Sequence, residues 1–131
     1  YAAGEREKAT RYLQRYSVQR LLGDHVPYPI EAWPEGNQRH LSAESGLYCR
    51  IITEGIFGIR PMGLHAFMLT PQLPAEWNFM ELKNVYAFGT KPFNIRVIRN
   101  GDRIKTVIER EGKVWKSYSS MVGKSIQVRL K

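Results

Sequence analysis

The chain has 131 residues, 43% of them apolar and 24% charged, with twenty Lys and Arg against twelve Asp and Glu. That balance describes a globular protein of ordinary domain size and excludes a disordered polymer. No apolar run reaches spanning length, so no membrane partner is expected, and the single Cys49 cannot form an internal disulfide.

The net charge of +8 raises nucleic acid as a partner, and its placement argues against one. Residues 1–60 carry eight Lys and Arg against seven acids, while residues 61–131 carry twelve against five. The excess is spread along the second half without forming a block. Lys and Arg at alternate strand positions solubilise an outward face and blunt sheet edges, so no nucleic-acid partner is expected. The chain opens on Tyr1 with neither Met nor a charged-then-apolar leader, which reads as a processed chain or a piece of a longer one.

Taken in order, residues 4–22 predict a helix. Ala9, Leu13, Tyr16 and Arg20 recur every three or four residues, Glu5 and Glu7 lie in the first turn, and Gly23 supplies a stop. Residues 24–38 contain Pro27, Pro29, Pro34 and Gly36 and form a long loop. Val26, Tyr28, Ile30 and Trp33 give that loop buried-type residues, and a loop of such length in a compact protein is typically functional. A second helix is expected over 43–57, capped by Ser42, with Leu47, Ile51 and Gly55 on one face and Gly58 and Pro61 closing it.

After Pro61 the period changes from helical to alternating. Strands are expected over 65–70, 80–88, 93–98, 104–108, 114–118 and 126–130. Asn100-Gly101 between two alternating runs is a strong hairpin signal, and Glu111-Gly112 marks a further turn. Tight turns imply antiparallel pairing in a sandwich or jelly-roll-like sheet.

The run Ser45-Gly46-Leu47-Tyr48-Cys49-Arg50-Ile51-Ile52-Thr53-Glu54-Gly55-Ile56-Phe57-Gly58-Ile59-Arg60-Pro61, followed by Pro71-Gln72-Leu73-Pro74-Ala75-Glu76-Trp77, carries a resemblance. It is similar to the passage that ends the six-hairpin, (α/α)6-barrel glycosidase superfamily, which includes disaccharide phosphorylases and α-L-rhamnosidases. The resemblance implies an α+β fold: terminal barrel helices over 1–61, then an antiparallel β-sandwich cap over 62–131. It also implies the C-terminal fragment of a glycoside hydrolase-like enzyme, inactive alone, with carbohydrate as substrate and the remainder of the barrel as partner. A periplasmic or secreted setting would suit such a relative, and no cofactor is implied.

Glycoside cleavage needs two carboxyl groups flanking the scissile bond. Ile30-Glu31-Ala32-Trp33 resembles the Trp-Glu-x-Trp of rhamnosidases, with Ile30 in place of the first Trp, and so implies Glu31 as a general base. Trp33, Glu35, Gln38 and His40, in the same loop, are the candidate substrate contacts: an indole face for a sugar ring and polar groups for its hydroxyls. Each also has a structural reading. Glu31 fits a loop ion pair, Trp33 a packing anchor, and His40 a cap near the following helix. Glu44 reads as a partner of the helix dipole and Glu54 as a structural hydrogen-bonding group. No second carboxylate makes a persuasive partner acid. His25 and His65 lack metal-ligand spacing, so no metal site is expected. The competing expectation is a non-catalytic β-sandwich module that binds carbohydrate or an anionic polymer.

Overall fold

The computed structural model describes residues 1–21 and 42–130. Its elements in chain order are α1 (Arg6–Leu21), α2 (Ser42–Arg50), a π-helical segment (Ile51–Ile56), β1 (Arg60–Gly63), β2 (Ala66–Leu69), β3 (Phe79–Val85), β4 (Phe93–Asn100), β5 (Arg103–Arg110), β6 (Lys113–Ser120) and β7 (Ile126–Arg129). Two antiparallel sheets result, one ordered β1-β2-β7 and the other β3-β4-β5-β6. The chain leaves the first sheet after β2, builds the second as a meander, and returns to pair β7 with β2.

This corrects the expected α+β architecture of terminal (α/α)6-barrel helices followed by a β-sandwich. The described residues are mostly β, with two short α-helices and no helical-barrel portion. Local chemistry accounts for much of the difference. The helix expected over 43–57 stops being α-helical at Arg50, where the β-branched run Ile51-Ile52-Thr53 and then Gly55 disfavour the α form. The backbone widens there, with Phe57 N donating to Ile52 O at 3.0 Å and Ile59 N to Thr53 O at 2.9 Å. Arg60–Gly63, read from sequence as a helix exit, is a strand. It takes the sheet edge, the position that tolerates Pro61.

Gly58 makes the reversal between helix and sheet possible. Its φ is +66°, and a Cβ placed on it would lie 2.4 Å from the carbonyl oxygen of Thr70. Only a residue without a side chain fits there.

One core joins both sheets. Phe67, Leu69 and Val128 face inward from the three-stranded sheet, and Met80, Phe93, Ile95, Val97, Ile104 and Ile108 from the four-stranded one. Ile56, Phe57 and Leu73 close the ends. Phe67 stacks on Phe88 and Phe93 at centroid distances of 4.8 and 5.9 Å. Burial in β4 alternates residue by residue, as expected for a strand with one face inward.

Both central hairpins turn on two residues. Asn100 pairs with Arg103, so Gly101 and Asp102 form the turn, with φ of +60° at Gly101. The central pair is thus Gly-Asp, one position later than an Asn-Gly turn, and a positive φ at its first residue matches the II′ form. Between β5 and β6, Glu111 and Gly112 have φ of +52° and +74°, the I′ signature.

Candidate functional site

The expected catalytic Glu31 and the expected contacts Trp33, Glu35, Gln38 and His40 lie outside the described residues. Among the described residues, the phrase Pro71–Trp77 forms a ridge between two surface depressions.

That phrase connects β2 to β3 and is bonded along its length. Gln72 N donates to Ile56 O at 2.8 Å, Gly123 N to Pro71 O at 2.7 Å, and Ala75 N to a Glu7 carboxylate oxygen at 3.2 Å. Leu73 is fully buried and plugs the loop into the core. Arg99, at the end of β4, reaches across. Its Nη2 donates to Pro74 O at 2.7 Å, its Nε to Trp77 O at 3.2 Å, and its backbone N to Asn78 O at 2.8 Å. A guanidinium planar enough to hold several carbonyls at once makes this ridge rigid.

Each side of the ridge carries a depression. Against α1, about 320 Å³ is lined by Glu7, Thr10, Arg11, Gln14, Glu76 and Trp77. On the outer face of the four-stranded sheet, about 550 Å³ is lined by Asn78, Phe79, Glu81, Arg96, Ile98 and Arg99.

The second depression is the larger of the two. Pairing places Phe79 beside Ile98 and Glu81 beside Arg96 on adjacent strands. Phe79 is 60% exposed, so its ring presents an apolar shelf to solvent. Beside the shelf, Arg96 Nη2 and Nε donate to Glu81 Oε1 at 2.8 and 3.0 Å, and Lys83 Nζ lies 3.3 Å from Oε2. Arg96, with Lys83 assisting, holds the Glu81 carboxyl below the usual carboxylate range. An apolar ring face bordered by fixed charged groups can take an apolar ligand face against the ring and hydrogen-bonding groups at the rim.

The other displaced carboxylates are held in the same direction. Arg6 lowers Glu7, Arg50 lowers Glu54 with help from Arg60, and Lys91 lowers Glu111. A general acid for glycoside cleavage needs the opposite displacement. Glu54 joins Arg50 at 2.7 Å and Arg60 at 2.9 Å, a brace between the π-helical segment and β1.

Sequence reasoning passed over Phe79, which stands one residue before the strand expected from 80, and over the pairing of Glu81 with Arg96. The available signal was parity. Phe79, Glu81 and Lys83 share the outward register, and a large aromatic on an outward position is the anomaly. Among the described residues no group of His, Cys, Asp and Glu is arranged to hold a metal ion, and no helix is long and apolar enough to cross a membrane. Comparison with family models, curated proteins and solved structures finds no match to this chain.

Proposed function

We propose that the chain is the carbohydrate-contacting end of a glycoside hydrolase-like protein, and that its β-sheets bind sugar without cleaving it. The observation that carries this reading is the Phe79 shelf, bounded by the Glu81–Arg96 pair and backed by the Arg99-bonded ridge. A second observation favours binding over cleavage within the described residues: every carboxyl displaced from its ordinary value is displaced downward by a cation. The link to a glycosidase rests on the resemblance of residues 45–61 and 71–77.

Affinity electrophoresis through gels carrying different soluble polysaccharides tests the reading. At least one polysaccharide retards the wild-type chain, and Phe79→Ala removes the retardation while leaving the unfolding midpoint unchanged. Retardation by no polysaccharide, or retardation indifferent to Phe79→Ala, removes the shelf as a sugar site. The enzymatic part of the reading has its own check: Glu31→Gln abolishes glycoside cleavage by the parent protein if Glu31 is the base, and leaves it intact if it is not.

A further inference from the structure

The same outer face carries information about which sugar it takes, an inference that rests on the sugar-binding reading. In register, Phe79 pairs with Ile98, Ile98 with Lys105, and Lys105 with Ser119. The next outward row runs Glu81, Arg96, Val107, Ser117, and the one beyond it Asn94, Glu109, Val114. Arg103 shares this face, its Nε donating to Ser119 Oγ at 3.0 Å, and so does Lys83 through its pairing with Glu81. Four cations therefore stand on the face against two carboxylates, Glu81 and Glu109.

The carboxylates do not neutralise that excess. Glu81 is already engaged by Arg96 and Lys83. Lys105 is exposed and has no ion-pair partner among the described residues, and Arg96 uses only Nε and Nη2 on Glu81, leaving Nη1 uncommitted. Strand spacing puts Lys105 about 10 Å from Phe79, two strands across the sheet. Ile98 lies between them. A ring resting on Phe79 and Ile98 thus has a cation beyond it, where a charged substituent on it or on its neighbour would arrive.

We infer that the ligand of the Phe79 shelf is an acidic glycan, a chain containing uronic acid residues. Its rings lie on Phe79 and Ile98, and its carboxylates meet Lys105 and Arg96 Nη1. Charge complementarity selects the class, since four cations face two carboxylates and Lys105 has no ion-pair partner among the described residues. That the ligand is a glycan follows from the sugar-binding reading of the shelf, and the ring hydroxyls of such a chain can donate to Glu109 on the same face.

Polygalacturonate and its fully methyl-esterified form share one backbone and differ in charge, so titrating the 131-residue chain with each by calorimetry reads the charge directly. The acid form is expected to bind about tenfold more tightly at low salt, through two exposed charge contacts, with the difference shrinking as salt rises. Lys105→Gln is expected to reduce that preference, and Phe79→Ala to weaken both forms together. Equal affinity for the two forms, or a preference unmoved by Lys105→Gln, overturns the acidic-glycan inference and leaves a neutral-sugar site standing. Failure of both forms to bind, when another polysaccharide binds through Phe79, also overturns the inference alone. If no polysaccharide binds, the underlying reading fails with it. Tighter binding of duplex DNA than of polygalacturonate overturns the inference in favour of a phosphate ligand.

Discussion

The four-stranded sheet and the helical segment handle their apolar residues in opposite ways. On β4 and β5 the inward positions Phe93, Ile95, Val97, Ile104 and Ile108 are almost wholly shielded from solvent. On the helices, Tyr12, Val18 and Leu47 remain 59, 62 and 55% exposed. Leu13 of α1 packs against the core, and polar and ring contacts tie α1 to α2 and to the chain before it. Tyr1 Oη and Thr10 Oγ1 are 3.0 Å apart, Ser17 Oγ and Tyr48 Oη 2.9 Å apart, and the Tyr16 and Tyr48 rings stack at 5.9 Å. The β-sheets thus carry most of the core, to which the segment after α2 adds Ile56 and Phe57, while α1 and α2 depend on local turns and a few side chains.

The largest expected effect breaks the sheet side of this contrast. Phe93→Ala removes a ring 1% exposed that stacks on Phe67, and is expected to lower unfolding free energy by about 3–5 kcal/mol. Leu47→Ala, on the exposed side of α2, is expected to stay within about 0.5 kcal/mol. Urea denaturation of both variants checks the pair. Similar losses would mean that the helices share the core's cooperativity.

Gly58 and Gly112 sharpen the comparison at the level of single backbone positions. Both have positive φ, +66° and +74°, but only Gly58 faces a close wall, the Thr70 carbonyl. Gly112→Ala is expected to cost about 1 kcal/mol, the penalty of the left-handed backbone alone. Gly58→Ala adds a collision with main chain and is expected to cost clearly more, at least about 2 kcal/mol. Thermal midpoints of the two variants, measured side by side, separate strain from crowding. Equal shifts would show that the Gly58 wall yields.

How much of this was legible beforehand follows the same division. Alternation is a local property, so Phe93-Ile95-Val97 and Ile104-Thr106-Ile108 announced β4 and β5, and Gly101 and Gly112 announced the hairpins. The strand at 60–63 was hidden because Pro61 reads as a helix stop until the partner strand that leaves it at an edge is known. The π-helical segment was hidden for a related reason: the 3.6-residue pattern continues through Ile51 to Ile56 even though the backbone does not follow it. At the shelf, the residue types were visible but their neighbours were not. Glu81 and Arg96 stand fifteen positions apart, and only the β3–β4 register brings them together.

That register also sets a pH dependence. Glu81 titrates below its ordinary value in the folded state because Arg96 is bonded to it. A depressed folded value means stability that is fully present above the unfolded carboxylate range and is lost as pH falls through the folded value. Thermal midpoints are therefore expected to fall on acidification below about pH 4, and to fall less steeply in Glu81→Gln. Identical acid limbs in the two proteins would show that Glu81 does not feel Arg96 in solution.

The smallest expected effect concerns Arg110, a cation that the sheet half-shields. Arg110 lays its guanidinium 4.0 Å from the centre of the Trp115 ring, at the bulge in the β5–β6 pairing. Its Nε and Nη2 are shielded from solvent and have no hydrogen-bond partner among the described residues. Two quantities oppose each other here. Stacking a cation on an indole contributes about 0.5–2 kcal/mol, while leaving shielded donors unpaired costs about 1–3 kcal/mol. Arg110→Met gives up the first, removes the second, and keeps an apolar arm against Trp115. The expected result is an unfolding free energy within about 1 kcal/mol of wild type, unchanged or slightly raised. Trp115→Ala, which leaves Arg110 shielded over nothing, is expected to be worse than Arg110→Met. Should Arg110→Met instead cost more than about 2 kcal/mol, the fork of Nε and Nη2 must be satisfied in solution, and the end of the four-stranded sheet holds a water or an anion tightly enough to count as part of the fold.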